Sequence, residues 1–284
     1  MIFHLPKEIN HDDASFETFA YLYSQTKELA FDDIEINMEK TVWFAADMCA
    51  AFGAILYSLE KRLNTVNLTN ISSDIKEILS KNGFLSRFGG VEISDQWGTT
   101  ISYQQFDGKS DRDFVRYIEN EFIYRSELPE MSTELLKKFS ESISEIFINA
   151  ILHSQTQMGI FSCGQFYPTK EQLDFTIVDL GIGIRKNIKD LRGLNLSPEK
   201  AIVWATEGNS TTKRGRLPGG LGLKLLCEFI DLNQGSIKIV SDAGYWKREN
   251  QQISTESLSN PFPGTIVSIE INTADTNIYS LSST

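Results

Sequence analysis

The sequence has few cysteines, no long apolar run and no signal-peptide pattern. Its 284 residues include three cysteines, Cys49, Cys163 and Cys227, too scattered for a disulfide framework or a cysteine-ligated zinc site. No apolar run approaches the roughly 18 residues that a membrane-spanning helix needs. The first residues also lack the pattern of a signal peptide. We therefore expect a cytoplasmic protein without a membrane segment.

Positive charge is also scarce, and two common nucleotide-binding motifs are missing. The net charge of −11 at pH 7 argues against general binding to nucleic acids or anionic membranes. A P-loop needs glycine before its lysine, but the nearest string has Thr212 before Lys213. A dinucleotide fingerprint starting at Gly181 and Gly183 would need a third glycine where Lys186 stands.

A long helix with one polar stripe is predicted between Ser132 and Ser154. Apolar residues recur there at helical spacing behind a Ser/Thr start signal. Glu145, Asn149 and His153 are spaced four apart, so each is offset from the last by only about 40° around the helix. Buried polar groups need partners, which either neighbouring backbone or a bound ligand would supply.

A strand followed by a glycine-containing turn is predicted next along the chain. Residues 173–178 favour a strand and lead directly into Asp179, Gly181 and Gly183. Glycines two apart let the backbone approach a ligand closely. A carboxylate at the end of a buried strand can accept a hydrogen bond from the adenine amine, whereas guanine presents a carbonyl oxygen there. The segment is typical of an adenine site, or of a turn that caps a strand.

A basic, glycine-rich loop precedes a second apolar helix. Residues 207–220 show no apolar period, and a helical pattern begins at Leu221. Cations and glycines are concentrated here: Lys213, Arg214, Arg216, Gly219, Gly220 and Gly222. Free N–H groups and the dipole at a helix N-terminus favour phosphate. The pattern predicts a loop that folds over a triphosphate, with a solvated connection as the alternative.

In this order the three segments resemble the GHKL superfamily, the ATPase fold shared by DNA gyrase, the heat-shock chaperone ATPase, histidine kinases and MutL. The resemblance covers about residues 97–272 and includes a closing strand at 263–271. It implies a Bergerat-type α/β sandwich, with helices on one face of a mixed sheet, that binds ATP and Mg²⁺. The string at 149–154 most resembles the anti-sigma-factor kinases and related bacterial regulators.

The resemblance assigns roles to individual residues. Glu145 would be the catalytic base that orients the attacking water or hydroxyl, and Asn149 would hold Mg²⁺ against the phosphates. Asp179 would bind adenine with support from Thr265. The other nucleotide contacts would come from Gly181, Gly183, Thr211, Thr212, Lys213, Arg214, Gly219, Gly220, Leu221, Gly222 and Leu223.

Autophosphorylation on histidine is not expected. A histidine kinase of the usual architecture carries its phosphoacceptor on a helix before the ATPase domain. Here His153 lies inside the predicted nucleotide helix, and His4 and His11 lie in a polar N-terminal segment.

Residues 1–90 are predicted to form a small α/β domain. Strands at 34–38 and 65–68 alternate with helices at 49–63 and 73–81. Over about residues 30–90 this layout resembles STAS domains of the anti-sigma antagonist kind. Those domains often carry a phosphorylatable Ser or Thr where the first helix begins, but Asp47-Met48-Cys49 offers none.

The chain is therefore expected to have two domains and a short tail. The domain boundary falls between residues 86 and 106, and the strand-like stretch at 91–106 would pair with either sheet. The GHKL domain would run over 91–276, followed by a polar, loose tail at 277–284.

The expected function is that of an ATP-binding regulatory protein. Its nucleotide-dependent lid would control a protein partner, bound through the lid or the STAS-like domain. One alternative is a scaffold that senses ATP without hydrolysing it, and another is a protein-serine kinase acting on a STAS-type partner. The sequence leaves open the partner, the fate of the γ-phosphate and the oligomeric state, with a homodimer among the options.

Overall fold

Helices and strands alternate along the chain, giving a mixed α/β protein. The computed structural model describes residues 1–108, 111–209 and 221–280. The helices are α1 (Asp13–Thr26), α2 (Cys49–Lys61), α3 (Ser73–Lys81), α4 (Asp111–Ile118), α5 (Thr133–His153), α6 (Gly183–Arg192), α7 (Pro198–Trp204) and α8 (Leu221–Asn233). The strands are β1 (Ile2–His4), β2 (Glu8–Ile9), β3 (Asp33–Asn37), β4 (Trp43–Phe44), β5 (Thr65–Thr69), β6 (Thr100–Phe106), β7 (Ile160–Tyr167), β8 (Gln172–Asp179), β9 (Ser236–Glu249) and β10 (Gln252–Asn272). Within the described ranges, every helix is too short or too polar to cross a membrane.

A five-stranded sheet in the order β6-β7-β8-β10-β9 forms the centre of the C-terminal part. The prediction of a mixed sheet was wrong, because each pairing among the described strands of this sheet is antiparallel. For the β7–β8 and β9–β10 pairs the reason lies in the connections. Short hairpins join β7 to β8 and β9 to β10, and a parallel pair would need a long crossover instead.

The two faces of this sheet are covered by different parts of the chain. Side chains alternate along β8, so that Phe175 and Ile177 point to one face and Val178 to the other. The first face, which we call the helical face, packs against Phe139 of α5 and Phe229 of α8. The opposite face, which we call the N-terminal face, packs against α1 and α2.

The N-terminal strands form a separate parallel sheet in the order β1-β3-β5. The four predicted elements of this region are confirmed as β3, α2, β5 and α3, with small shifts at their ends. Because α2 lies between β3 and β5 in the chain, it supplies the crossover that a parallel pair requires.

The two predicted domains share one hydrophobic core. Phe16 of α1 and Phe52 of α2 belong to the same buried cluster as Phe161 and Val178 of the five-stranded sheet. The sequence left open which of the two sheets residues 91–106 would join. Within that stretch, β6 pairs with β7 and so belongs to the C-terminal sheet. The division near residue 90 stays a prediction.

The described part of the tail is bound to the fold. Tyr279 is buried, and its ring packs against Phe229 with centroids 5.3 Å apart. Its backbone carbonyl accepts a hydrogen bond of 2.7 Å from Ser132 at the start of α5. The prediction of a loose tail was therefore wrong at Tyr279, whose ring and backbone are both bound to the fold.

We predict that the shared core makes the two sheets unfold together. Phe52→Ala removes a fully buried ring from α2 and should cost about 3–5 kcal/mol. Amides of β8 and β10 should then exchange faster, as should those of β3, when hydrogen exchange is followed by mass spectrometry. Tyr124→Ala, at a ring that is 70% exposed, is the control. Unchanged protection of β8 and β10 in Phe52→Ala would contradict a common core.

Candidate functional site

A cavity of about 170 Å³ lies on the helical face, between the five-stranded sheet and helices α5, α6 and α8. Its walls are mainly apolar: Ile146, Ala150, Ile177, Ile184, Ile188, Leu191, Leu223, Ile239 and Val267. A small set of polar side chains faces the same space: Glu145, Asn149, His153, Asp179, Asn187, Arg192, Thr206 and Thr265. Apolar walls with a few placed polar groups are typical of a site for a small molecule.

Six of the residues predicted for a nucleotide site line this cavity. They are Glu145, Asn149, Asp179, Gly183, Leu223 and Thr265. They come from segments far apart in the chain, and the fold brings them together. The predicted contacts Thr211, Thr212, Lys213, Arg214, Gly219 and Gly220 lie outside the described residues, and Leu221 opens α8. The binding roles of all these residues stay predictions.

Helix α5 supplies the polar stripe that the sequence predicted. The helix starts behind Ser132, whose hydroxyl accepts a hydrogen bond from the Leu135 N–H, as N-cap residues do. Its apolar side, including Phe139 and Ile143, is buried against the sheet. The stripe at 145, 149 and 153 therefore faces the cavity, and the helix prediction is confirmed.

Asp179 lies at the floor of the cavity, at the end of β8. It pairs in register with Thr265 of β10, and the residue is 4% exposed. Burial raises the pKa of its carboxyl to about 8, although the N–H groups of Gly181 and Thr265 and the Thr265 hydroxyl act against this shift. Its Oδ1 atom is buried and has no hydrogen-bond partner within the described part of the chain. A buried acceptor without a donor is costly, so a ligand that donates a hydrogen bond would relieve this cost.

Ser241 of β9 fixes the turn beside Asp179. Its hydroxyl donates to the Gly264 carbonyl at 2.9 Å and accepts from the Ile184 N–H at 2.9 Å. It also lies 3.1 Å from the Thr265 hydroxyl. Ser241 thus ties the start of α6 to the two strands under the cavity. A single serine in a strand gives no sequence signal for this role.

Gly181 packs against Ser154 at the end of α5. A Cβ atom at this position would lie 2.2 Å from the Ser154 carbonyl oxygen at the end of α5. The next N–H, of Ile182, donates to that same oxygen at 2.8 Å. Close packing of the turn on α5 accounts for this glycine, which is not among the described residues that line the cavity.

Gly222 and Glu145 form a contact between α8 and α5. The Gly222 N–H donates to Oε2 of Glu145 at 3.0 Å, and a Cβ atom on Gly222 would lie 2.4 Å from the same oxygen. The carboxylate therefore lies at the N-terminal end of α8, where the helix dipole favours negative charge. The glycine allows this approach, which the sequence did not predict.

Further cavity residues come from α6 and the end of α7. Asn187 donates to the His153 carbonyl at 3.0 Å, while Arg192 and Trp204 complete the rim. Gly183 was one sequence signal for the α6 residues. A helix that begins directly after the turn at the site must lie close to that site. A second signal was Pro198, which is typical of the first position of a helix.

Two comparisons with known proteins give no relative, because no protein-family model matches the chain and no curated protein matches it. The function is therefore inferred from the chemistry of the cavity.

We predict that Asp179→Asn gains stability relative to the wild type as the pH rises from about 4 to about 8. The folded protein holds this proton up to a pKa of about 8, whereas the ordinary value is 3.8. The stability that the protonated carboxyl contributes is therefore complete below pH 3.8 and is lost as the pH rises toward about 8. Asparagine has no proton to lose, and its amide nitrogen can occupy the position of the unpartnered Oδ1.

Urea unfolding at about pH 5, 7 and 9 measures this difference. Asp190→Asn, at an exposed position on α6, serves as the control for removal of an aspartate. A difference between Asp179→Asn and the wild type that does not change with pH would show that the carboxyl is not perturbed by burial.

Proposed function

We propose that the cavity binds ATP, with adenine against Asp179 and with Mg²⁺ near Asn149, and that the protein is an ATP-dependent regulator. The observation that carries this proposal is the buried, unpartnered Oδ1 of Asp179 at the floor of an apolar cavity. Adenine offers an N–H donor on the edge of a flat apolar ring. Both properties match the floor and walls of this cavity.

The apolar walls support a bound base. Ile177 and Val267 lie on the strands beside Asp179, and Ile146 and Ala150 face them from α5. A flat ring between these side chains would lose little by leaving water, because its faces need no hydrogen bonds. Guanine would present a carbonyl oxygen to Asp179, which disfavours guanine when the carboxyl is ionised, above its pKa of about 8.

The polar stripe of α5 supports phosphates and a metal. Asn149 is one helical turn beyond Glu145, and both face the cavity. Mg²⁺ prefers oxygen ligands and keeps several waters, so the amide oxygen of Asn149 together with phosphate oxygens would suit it. When bound, Mg²⁺ would neutralise phosphate charge, and Glu145 would orient the attacking water. Arg192 adds positive charge at the rim.

The regulatory role rests on where the cavity lies. The lid predicted from the sequence is the basic, glycine-rich loop over about residues 206–220. Its first residue, Thr206, lines the cavity, and most of the loop lies outside the described residues. The sheet under the cavity carries α1 and α2 of the N-terminal segment on its other face. Nucleotide-dependent closure of the lid over the γ-phosphate would change the surface that a partner meets.

A second function, sensing of ATP without hydrolysis, is favoured by the contact between Glu145 and α8. A catalytic base must be free to orient water, whereas this carboxylate accepts the Gly222 N–H. If the contact persists with nucleotide bound, Glu145 acts as a cap for α8. ATP labelled at the γ-phosphate separates these functions, because the label would appear as free phosphate, on protein, or remain on ATP.

We predict that at about pH 9, where Asp179 with its pKa of about 8 is ionised, Asp179→Asn weakens ATP binding by about 10- to 100-fold, the cost of losing a hydrogen bond to a charged group. The wild type should prefer ATP to GTP. The variant should lose part of this preference, because an asparagine amide can donate to the guanine carbonyl. Isothermal titration calorimetry with both nucleotides and Mg²⁺ measures the effect.

Asp190→Asn is the matched control and should bind ATP as the wild type does. Trp204 on the rim provides a second readout, since its fluorescence should respond to a base in the cavity. Equal affinity of the wild type and a folded Asp179→Asn for ATP would rule out the adenine contact.

We predict that substitutions of Asn149 and Glu145 affect different steps, the first ATP binding and the second ATP turnover. Asn149→Ala should remove the Mg²⁺-dependent part of ATP binding. Glu145→Gln should keep binding, because glutamine can still accept the Gly222 N–H, and should lower turnover by about 10²- to 10⁴-fold. Calorimetry with and without Mg²⁺, and release of labelled phosphate, test these effects.

Glu141→Gln, at an exposed position one turn earlier on α5, is the control for loss of a glutamate. A wild type that binds ATP but releases no phosphate, alone or with a partner, would favour the sensor. Folded Asn149→Ala that binds Mg²⁺-ATP normally would remove this residue from the metal site.

A further inference from the structure

A second group of polar side chains is buried on the N-terminal face of the sheet, away from the cavity. His11 lies in the loop between β2 and α1, and its side chain is only 8% exposed. Asp47 comes from the turn before α2, while Asp174 and Glu270 come from β8 and β10. The sequence placed His11 in a polar N-terminal segment, but the fold buries it between two parts of the chain.

Two carboxylates of this group stand directly opposite each other. Asp174 and Glu270 are register partners in the β8–β10 pair. Like charges at opposed positions destabilise a sheet, and burial increases the repulsion. The pair therefore needs positive charge nearby.

The available positive charge is small. Among the described residues, Lys238 donates to Oε2 of Glu270 at 3.0 Å. Asp47 adds a third carboxylate, fully buried, whose Oδ1 has no partner in the described part of the chain. The three carboxylates therefore share Lys238 and His11 as their partners, and a divalent cation would balance the remaining negative charge.

The histidine is oriented as a metal ligand would be. Its Nε2 contacts Oδ2 of Asp47, which also accepts the Thr176 hydroxyl at 2.6 Å. A histidine that binds a metal through one ring nitrogen usually donates its other N–H to a carboxylate in this way. The other ring nitrogen, Nδ1, lies 3.3 Å from Oδ2 of Asp174.

The distances fit a small cation. Ligand atoms of His11, Asp174 and Glu270 all lie within 4.8 Å of one another, and Nδ1 is 3.3 Å from Oδ2 of Asp174. Two ligands at about 2.0–2.1 Å from a tetrahedral zinc ion are themselves about 3.3 Å apart. Both carboxylates also have an outer hydrogen bond, from Gln172 to Asp174 at 2.8 Å and from Lys238 to Glu270.

We propose that His11, Asp174 and Glu270 bind a divalent transition metal of the Zn²⁺ type, oriented by Asp47, and that this metal fastens the N-terminal segment to the sheet. One imidazole nitrogen and carboxylate oxygens form a donor set that suits zinc and its neighbours. The site is separate from the cavity around Asp179 and does not depend on its function.

The test uses the untagged 284-residue protein, stripped with a chelator and titrated with Zn²⁺. The wild type should bind about one ion per chain and melt at a higher temperature with it, because only the folded state assembles the ligands. Co²⁺ should give the visible absorption bands of a four-coordinate site. Glu270→Gln should weaken binding by at least about tenfold and remove those bands.

Glu256→Gln, at an exposed position of the same strand, should bind as the wild type does. Should Glu270→Gln fail to fold, Gln172→Ala decides, since it removes only an outer hydrogen bond and should weaken binding by about tenfold. A wild type that binds neither ion stoichiometrically, or equal binding by a folded Glu270→Gln, would overturn the proposal. Equal loss in Glu256→Gln would do the same, because it would show binding to surface carboxylates.

Discussion

The antiparallel pairing of β8 with β10 is the interaction on which the rest of the structure depends. It sets Asp179 opposite Thr265 at one end of the pair and Asp174 opposite Glu270 near the other. Because side chains alternate along each strand, the first pair belongs to the helical face and the second to the N-terminal face. A shift of one residue in this register would exchange the two faces and remove both polar groups from their partners.

Both groups keep ionisable side chains inside the protein, at a cost that function or a bound ion would explain. Asp179 has an oxygen without a partner among the described residues, and so does Asp47 on the other face. Such atoms are rare in folded proteins because burial deprives them of water. Each therefore marks a place where a ligand would add stability: a hydrogen-bond donor at Asp179, and a cation beside His11. The sheet between them connects the N-terminal segment to the cavity.

The parts of the fold that the sequence predicted were those with local signals. The apolar period of α5 and the strand ending in Asp179 gave correct elements, as did the alternating pattern of the N-terminal segment. Glu145, Asn149 and Asp179 meet at one cavity, as their spacing and order had suggested. These predictions depend on residues close together in the chain, where periodicity is a direct consequence of helix and strand geometry.

The features that the sequence missed depend on contacts between distant residues. Glu145 reaches the N–H of Gly222, Ser241 joins α6 to the strands, and His11 is enclosed by Asp47 and Asp174. The anchoring of Tyr279 beside α5 belongs to the same class. In each case the partner lies on another element, so a local pattern carries no information about it. The fully antiparallel sheet was missed for the same reason, since its β6–β7 and β8–β10 pairs join strands that are far apart in the chain.

The proposed binding of adenine to the unpartnered oxygen of Asp179 can be tested by a crystal structure with Mg²⁺ and a non-hydrolysable ATP analogue. The exocyclic amine should lie within about 3 Å of Oδ1, the hydrogen-bonding distance. The base should lie between Ile146 on α5 and Val267 on β10, with the phosphates directed to Asn149. A nucleotide bound elsewhere, or bound in this cavity with its amine away from Asp179, would contradict the claim.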